Sequence, residues 1–300
     1  MGWQCRSEGL RSVKIFPWAV ELGRRRGQGL RGRGTIAPAA RERSDVGFDW
    51  TVFALAVPAV LFTGVSKGGF GSGAAFAAAP FLALVLSPGQ AIGLMLPLLM
   101  LIDLGAIRAY WGRWSRRDAL RLIGGSLPGI AAGAALYRVA DPDMFRLLIG
   151  LVAIGFVAFQ MARASDLLKL RAVHRPDPSR GRLAGVFWGG VTGLTSFISH
   201  AGGPPAAVYL LGRGLDKTTF QATTVLTFWA VNLAKLGPYM ALGIFTRDTL
   251  IADLILAPVA FAGLWLGVHL HSRVNEKLFF RLTYAFLLVT GGKLIFDALT

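Results

Sequence analysis

Four ionisable side chains lie in strongly apolar stretches of the sequence, and each of them needs a chemical reason to be there. Lys67 stands in TGVSKGGFGSG, Asp103 in PLLMLIDLGAI, His200 in SHAGGPP and Lys235 in FWAVNLAKLGPYM. A charge in hydrocarbon costs about 2.5–3.5 kcal/mol even on lenient insertion scales. Lysines beside glycine backbone can bind an anion, and a histidine that titrates near neutral pH can carry a proton. The alternatives are a surface loop at Lys67, a structural ion pair or snorkelling lysine, and a histidine used only for packing.

These positions predict one anion site built at two backbone interruptions. The predicted substrate-binding residues come from the two glycine-rich stretches and from one later lysine: Lys67, Gly68, Gly69, Ser196, His200, Gly202, Gly203 and Lys235. Asp103 maps to within one residue of Lys235 when the two halves of the chain are compared at a shift of 131. Asp103, Lys235 and His200 are therefore the candidates for an ion pair or for proton coupling.

No catalytic, metal or cofactor site is predicted. The single cysteine, Cys5, lies in the N-terminal tail, so the apolar body has no thiol nucleophile. His200 has no nearby Cys, Asp or Glu with metal-ligand spacing.

The elements that must position these residues are membrane helices. Hydrophobic residues make up 54% of the 300-residue chain and charged residues 16%, against about 25% in a soluble domain. Apolar runs approach the 20 or so residues that a crossing needs. The predicted fold class is therefore an all-α polytopic membrane protein.

A weak internal repeat divides the chain. Thr63-Gly64 matches Thr192-Gly193, and Pro128 matches Pro258, at shifts of 129 and 130. The predicted divisions are a basic tail at 1–47, membrane repeats at 48–163 and 183–298, and a cytoplasmic linker at 164–182. Four crossings per repeat, the first of them broken at a Gly/Pro-rich stretch, give parallel repeats; five crossings per repeat give inverted ones. The preferred arrangement is four plus four, with the tail and the linker cytoplasmic under the positive-inside rule.

The net charge of +16 is unevenly distributed, with ten Lys/Arg and four Asp/Glu in residues 1–47. This tail is interpreted as a disordered cytoplasmic extension, as a lipid- or nucleic-acid-binding segment, or as the product of a misassigned start. The expected partners are a small anion and the lipid bilayer of the inner membrane, with no nucleic acid. Homo-oligomerisation and the direction of transport stay open.

The chain resembles the sulfite exporter TauE/SafE family. The resemblance rests on TGVSKGGFGSGAAFAAAPFLAL, on PLLMLIDLGAI, on TGLTSFISHAGGPPAAVYLLGRGLDKTTFQATT and on the duplicated organisation, over about residues 50–298. It implies about eight spans from a four-span duplication, and carriage of sulfite, sulfonates or organic acids. The hypothesis is a permease whose two interruptions face one shared site. A membrane scaffold acting through the tail and a membrane-embedded enzyme using His200 are the alternatives.

Overall fold

The computed structural model describes residues 50–69, 75–164, 178–270 and 276–300. The predicted tail and most of the predicted linker lie outside these ranges. All the regular structure in the described ranges is helical, which confirms the predicted helical class. The ten α-helices are α1 (Trp50–Gly69), α2 (Ala78–Leu82), α3 (Pro88–Ala109), α4 (Arg116–Val139), α5 (Pro142–Ala164), α6 (Pro178–Ser199), α7 (Gly203–Leu211), α8 (Lys217–Ala241), α9 (Arg247–Leu270) and α10 (Glu276–Leu299).

Six of these helices are long and apolar enough to cross a membrane: α1, α3, α4, α5, α9 and α10. α6 and α8 have 22 and 25 residues and so have the length, but Gly, Ser and Thr lower their hydropathy. Large apolar side chains point outward from the bundle, among them Leu254 at 77% and Val289 at 72% exposure. A bundle with this exterior fits hydrocarbon rather than water. The chain is therefore a multi-pass membrane protein.

The short helices follow the two predicted interruptions. α7 has nine residues, and α2 has five preceded by a 3₁₀ turn at Ala75–Ala77. The first interruption begins later than the sequence indicates, because α1 continues through Gly69. Lys67 therefore occupies the last turn of a helix and not a loop. Residues 70–74 of that interruption lie outside the described ranges.

Helix directions follow from which residues touch. Between α1 and α9 the contacting residues rise in number together, because Gly64 meets Ala260 and Gly69 meets Gly267. The same holds for α3, in which Gly93 meets Ile244, just before α9, and Gly105 meets Leu264 in α9. These three helices run in the same direction. Gly89 near the start of α3 meets Tyr137 near the end of α4, so α4 runs the opposite way.

α6 runs with α4, because Gly125 touches Val186 and Gly133 touches Phe197. α1 and α6, the first helices of the two predicted halves, consequently run in opposite directions. The parallel arrangement that follows from four crossings per half requires them to run in the same direction, so that prediction is wrong. The sequence could not show this, because hydropathy carries no information on the direction of a helix.

The last helices of the two halves are also opposed. Gly150 of α5 contacts Ile295 of α10, whereas Phe156 stacks edge-on against Tyr284 at a ring separation of 5.9 Å. Residue numbers fall along one helix as they rise along the other, so α5 and α10 are antiparallel.

Two helix interfaces are made by glycine. A Cβ on Gly64 would lie 2.7 Å from the carbonyl oxygen of Ala260, and a Cβ on Gly129 would lie 2.0 Å from that of Gly190. Side chains at these positions would collide with backbone, so only glycine lets α1 approach α9, and α4 approach α6, this closely. Each of these interfaces joins a helix of one predicted half to a helix of the other.

Candidate functional site

Lys67 and Asp103 form a buried ion pair between α1 and α3. The Lys67 side chain is 10% exposed and that of Asp103 is 3% exposed. The second oxygen of Asp103, Oδ2, accepts a hydrogen bond of 2.8 Å from Nδ2 of Asn232 on α8. The carboxylate is thus neutralised by one helix and oriented by another, as a buried charge requires.

Lys235 lies one turn after Asn232 on α8 and is fully buried. Its Nζ lies 3.1 Å from both the carbonyl and the hydroxyl oxygen of Ser196, and 2.8 Å from Nδ1 of His200. Within the described ranges, no carboxylate lies within ion-pair distance of Lys235. The structure therefore pairs Asp103 with Lys67, and Lys235 with neutral acceptors. The sequence-based pairing of Asp103 with Lys235 is not observed.

His200 ends α6 in a left-handed backbone conformation, with φ of +57°. Its N–H donates to the Ser196 carbonyl, and the next N–H, that of Ala201, donates to the Thr195 carbonyl. The bond from His200 to Ser196 is that of an αL cap, in which the left-handed position is usually glycine. Both ring nitrogens have partners, because Nε2 lies 3.0 Å from the carbonyl oxygen of Ile92. These contacts hold a strained residue in place beside Lys235.

A small cavity of about 20 Å³, enough for about one water molecule, lies next to this cluster. Its polar lining comes from Lys67, His200 and Asn232, together with the backbone of Gly203 at the start of α7. Its apolar lining comes from Ala75, Phe76, Leu99 and Phe228. A small polar solute in this space would meet cationic and amide donors on one side and hydrocarbon on the other.

The other predicted site residues lie outside this cavity. Gly68 and Gly69 pack against the carbonyl oxygens of Leu264 and Gly267 in α9, so they serve helix packing. Gly202 packs against Phe228 and Thr192. Ser196 reaches the cluster through Lys235.

Asn232 is the site residue that sequence reasoning missed. It stands 129 residues after Asp103, and this is the same shift that relates Lys67 to Ser196. Reading the alignment at that shift, and not at 131, would have placed an amide opposite the carboxylate.

Sequence reasoning also missed Asp253. Like Asp103, it is an aspartate inside an apolar stretch, here IADLILAPV. Asp253 is 7% exposed. Neither of its carboxylate oxygens has a hydrogen-bond partner among the described residues.

A second polar cluster ties the short helix α7 to the start of α4. Oδ1 of Asp118 accepts hydrogen bonds from the hydroxyl of Tyr209 at 2.8 Å and from Nε of Arg213 at 3.0 Å. Ser115, the N-cap of α4, donates to Oδ2 of Asp118 at 2.7 Å. This end of α7 is therefore held by a charged network, whereas its other end, at Gly203, lines the cavity.

A helical bundle with an apolar exterior, interrupted helices and buried charges around a cavity defines an integral membrane protein of the transporter class. The profile of the family described as "Sulfite exporter TauE/SafE" matches residues 56–294. The chain belongs to that family, which is one of membrane transporters. Comparisons with curated proteins and with solved structures give no significant match.

Proposed function

We propose that this protein carries small anions, namely sulfite, organosulfonates or related organic acids, across the inner membrane. The observation that carries the proposal is the cavity beside the Lys67–Asp103 pair, with Asn232 and His200 on its wall. An anion that leaves water must regain its hydration from donors of this kind. Lys67 is paired with Asp103 in this structure, and an entering anion competes with that carboxylate for the ammonium.

The test of this role replaces Lys67 by alanine and measures anion flux into proteoliposomes. We expect flux of sulfite or a sulfonate to be abolished while the protein still inserts. The control is Lys293→Ala, which removes an exposed lysine that also pairs with an aspartate, Asp297. Because Lys67→Ala leaves Asp103 unpaired, the double variant Lys67→Ala/Asp103→Asn is measured as well. Normal flux in the double variant would remove Lys67 from the mechanism.

We further propose that the two halves are inverted repeats of five helices each, related by an axis in the membrane plane. The pairs α1/α6, α3/α8, α4/α9 and α5/α10 would then correspond. Three observations support this proposal. α1 and α6 run in opposite directions, and α5 and α10 are antiparallel. The glycine interface of α1 with α9 also has a counterpart in that of α6 with α4, as the correspondence of α1 with α6 and of α9 with α4 requires. Inverted repeats with interrupted helices are a common plan of secondary transporters.

This arrangement predicts that matching loops lie on opposite sides of the membrane. In a Cys5→Ser background, a cysteine at Arg113, between α3 and α4, is expected to react only from the cytoplasm, where basic loops are retained. A cysteine at Gly243, between α8 and α9, is expected to react only from the other side. Labelling of both positions by an impermeant maleimide from the same side would contradict the inverted arrangement.

A further inference from the structure

The cavity beside Lys67 must grow before it can hold the proposed substrate. Its volume of about 20 Å³ admits about one water molecule, and sulfite or a sulfonate is several times larger. Protein interiors are closely packed, so a solute enters only where a wall yields. Part of the lining stands on the continuous helices α1, α3 and α8. The wall at Gly203 is different, because the backbone between α6 and α7 is interrupted there.

An apolar groove lies against the same interrupted backbone. The groove has a volume of about 250 Å³ and is formed by α5, α6 and α7. Ala201, Pro204 and Pro205 line the groove, whereas Gly203, which stands between them in sequence, lines the cavity. Segment 201–205 therefore forms part of the wall of both spaces.

The groove is lined mainly by hydrocarbon. Apart from Trp188 and Thr195, its lining side chains contain no polar atom, and the Thr195 hydroxyl donates to the Val191 carbonyl at 2.8 Å. Gly155, which also lines the groove, is exposed and lies near the middle of α5, a helix long and apolar enough to span the membrane. At that depth a bilayer contains only acyl chains. The groove is therefore open to the hydrocarbon of the bilayer.

Few backbone hydrogen bonds hold segment 201–205 in place. Its two prolines have no N–H to donate. The bonds donated by the N–H groups of Ala201 and Ala206 are both 3.3 Å long, against about 2.9–3.0 Å in an ordinary hydrogen bond. The chain is fixed on either side of the segment, by the ring contacts of His200 and by the network at Asp118. The part between these two anchors is the part that can move.

We propose that the groove is a lipid site, in which one acyl chain supports segment 201–205 against the cavity. A solute that enlarges the cavity pushes this segment into the groove and the chain out of it. Lipid and solute therefore bind in competition. The lipid site follows from the groove alone, whereas the competition rests on the proposed function.

The lipid site is tested by the fluorescence of Trp188. The full-length protein is reconstituted into vesicles of a phosphatidylcholine brominated in the middle of its acyl chains, because bromine quenches tryptophan on contact. The signal of Trp188 is the difference between a protein and its Trp188→Phe variant. We expect this signal to be quenched, and the quenching to be lost in Gly155→Phe, whose ring occupies the groove. The ring has room, because a Cβ at Gly155 would meet no described atom within 4 Å.

The matched control is Gly124→Phe. Gly124 is also an exposed glycine of a spanning helix with room for a Cβ, and it does not line the groove. This variant should leave the quenching of Trp188 unchanged. Equal quenching in the unmodified protein and in Gly155→Phe, or no quenching in either, would overturn the lipid site. If Gly155→Phe does not fold, Gly155→Leu takes its place.

The competition is tested by adding sulfite or sulfoacetate to the same vesicles. The anion should relieve the quenching of Trp188 in the unmodified protein, and not in Lys67→Ala/Asp103→Asn, which lacks the proposed anion site. Calorimetry should also show weaker anion binding to Gly155→Phe than to Gly124→Phe. If the filled groove reduces the enlarged conformation to a tenth of its population, the apparent affinity falls about tenfold.

The outcomes separate the two proposals. If an anion binds the unmodified protein but neither relieves the quenching nor binds more weakly to Gly155→Phe, the competition is wrong and the proposed function stands. If neither anion binds the unmodified protein, the proposed function fails and the competition fails with it. The quenching by brominated lipid decides the lipid site in either case.

Discussion

Lys67 and Lys235 belong to one buried cluster, but their surroundings differ in kind. Lys67, in the last turn of α1, faces a carboxylate and a cavity. Lys235, in the middle of α8, is fully buried and faces a carbonyl, a hydroxyl and an imidazole. Lys67 therefore borders the cavity, whereas Lys235 is enclosed by neutral protein groups. Two lysines that look equivalent in sequence thus differ in their partners and in their access to the cavity.

The largest effect that separates the two lysines is expected in stability. Lys67→Met leaves Asp103 as an unpaired buried carboxylate, and breaking such a pair costs about 3–5 kcal/mol. Lys235→Met leaves only neutral groups without a partner, at a cost of about 1–3 kcal/mol. Unfolding in mixed micelles should therefore show a greater loss of unfolding free energy for Lys67→Met. The reverse order would mean that Asp103 is neutral in the folded protein.

The control for this comparison removes the carboxylate together with its lysine. Replacing a buried ion pair by apolar residues of similar volume is often neutral or stabilising. Lys67→Met/Asp103→Leu should therefore regain most of the stability that Lys67→Met loses, although it should not transport. Asp103→Leu gives no comparable recovery in the Lys235→Met background, because Asp103 does not pair with Lys235.

A smaller effect is expected at His200, which shapes the surroundings of Lys235. Glycine and alanine both remove the ring that accepts from Lys235, but only alanine keeps the cost of a left-handed backbone, about 1–2 kcal/mol. His200→Gly should therefore be more stable than His200→Ala by about 1 kcal/mol in the same unfolding measurement. If alanine were equal to or better than glycine, the φ of +57° would carry no strain, and the ring contacts would not be needed to hold it.

Much of this architecture could be predicted from residue types. Lys67, Asp103, His200 and Lys235 were visible because each interrupts an apolar run, and the structure gathers all four into one cluster. Their pairing was not predictable in the same way. It depends on the rotation of α3 and α8 about their axes, and this rotation is set by tertiary packing. Asn232 carries no charge, so only the repeat could have pointed to it.

The relative direction of the halves was hidden for a different reason. It depends on whether the short pieces after α1 and α6 return toward the side from which the chain came or continue across the membrane. Apolar composition permits either path. The decisive evidence is that α3 runs in the same direction as α9, since Gly93 meets Ile244 just before α9 and Gly105 meets Leu264, and that α5 and α10 are antiparallel.

The glycine interface between α1 and α9 also has a consequence for biosynthesis. α1 ends at Gly69 and α9 begins at Arg247, so 178 residues must be added before the partner helix starts to emerge from the ribosome. At about 5–20 residues per second this takes roughly 9–36 seconds. α4 waits far less, because its partner α6 begins 39 residues after α4 ends. The face of α1 that the finished protein hides most closely is thus covered only near the end of synthesis, and until then lipid or the insertion machinery must cover it.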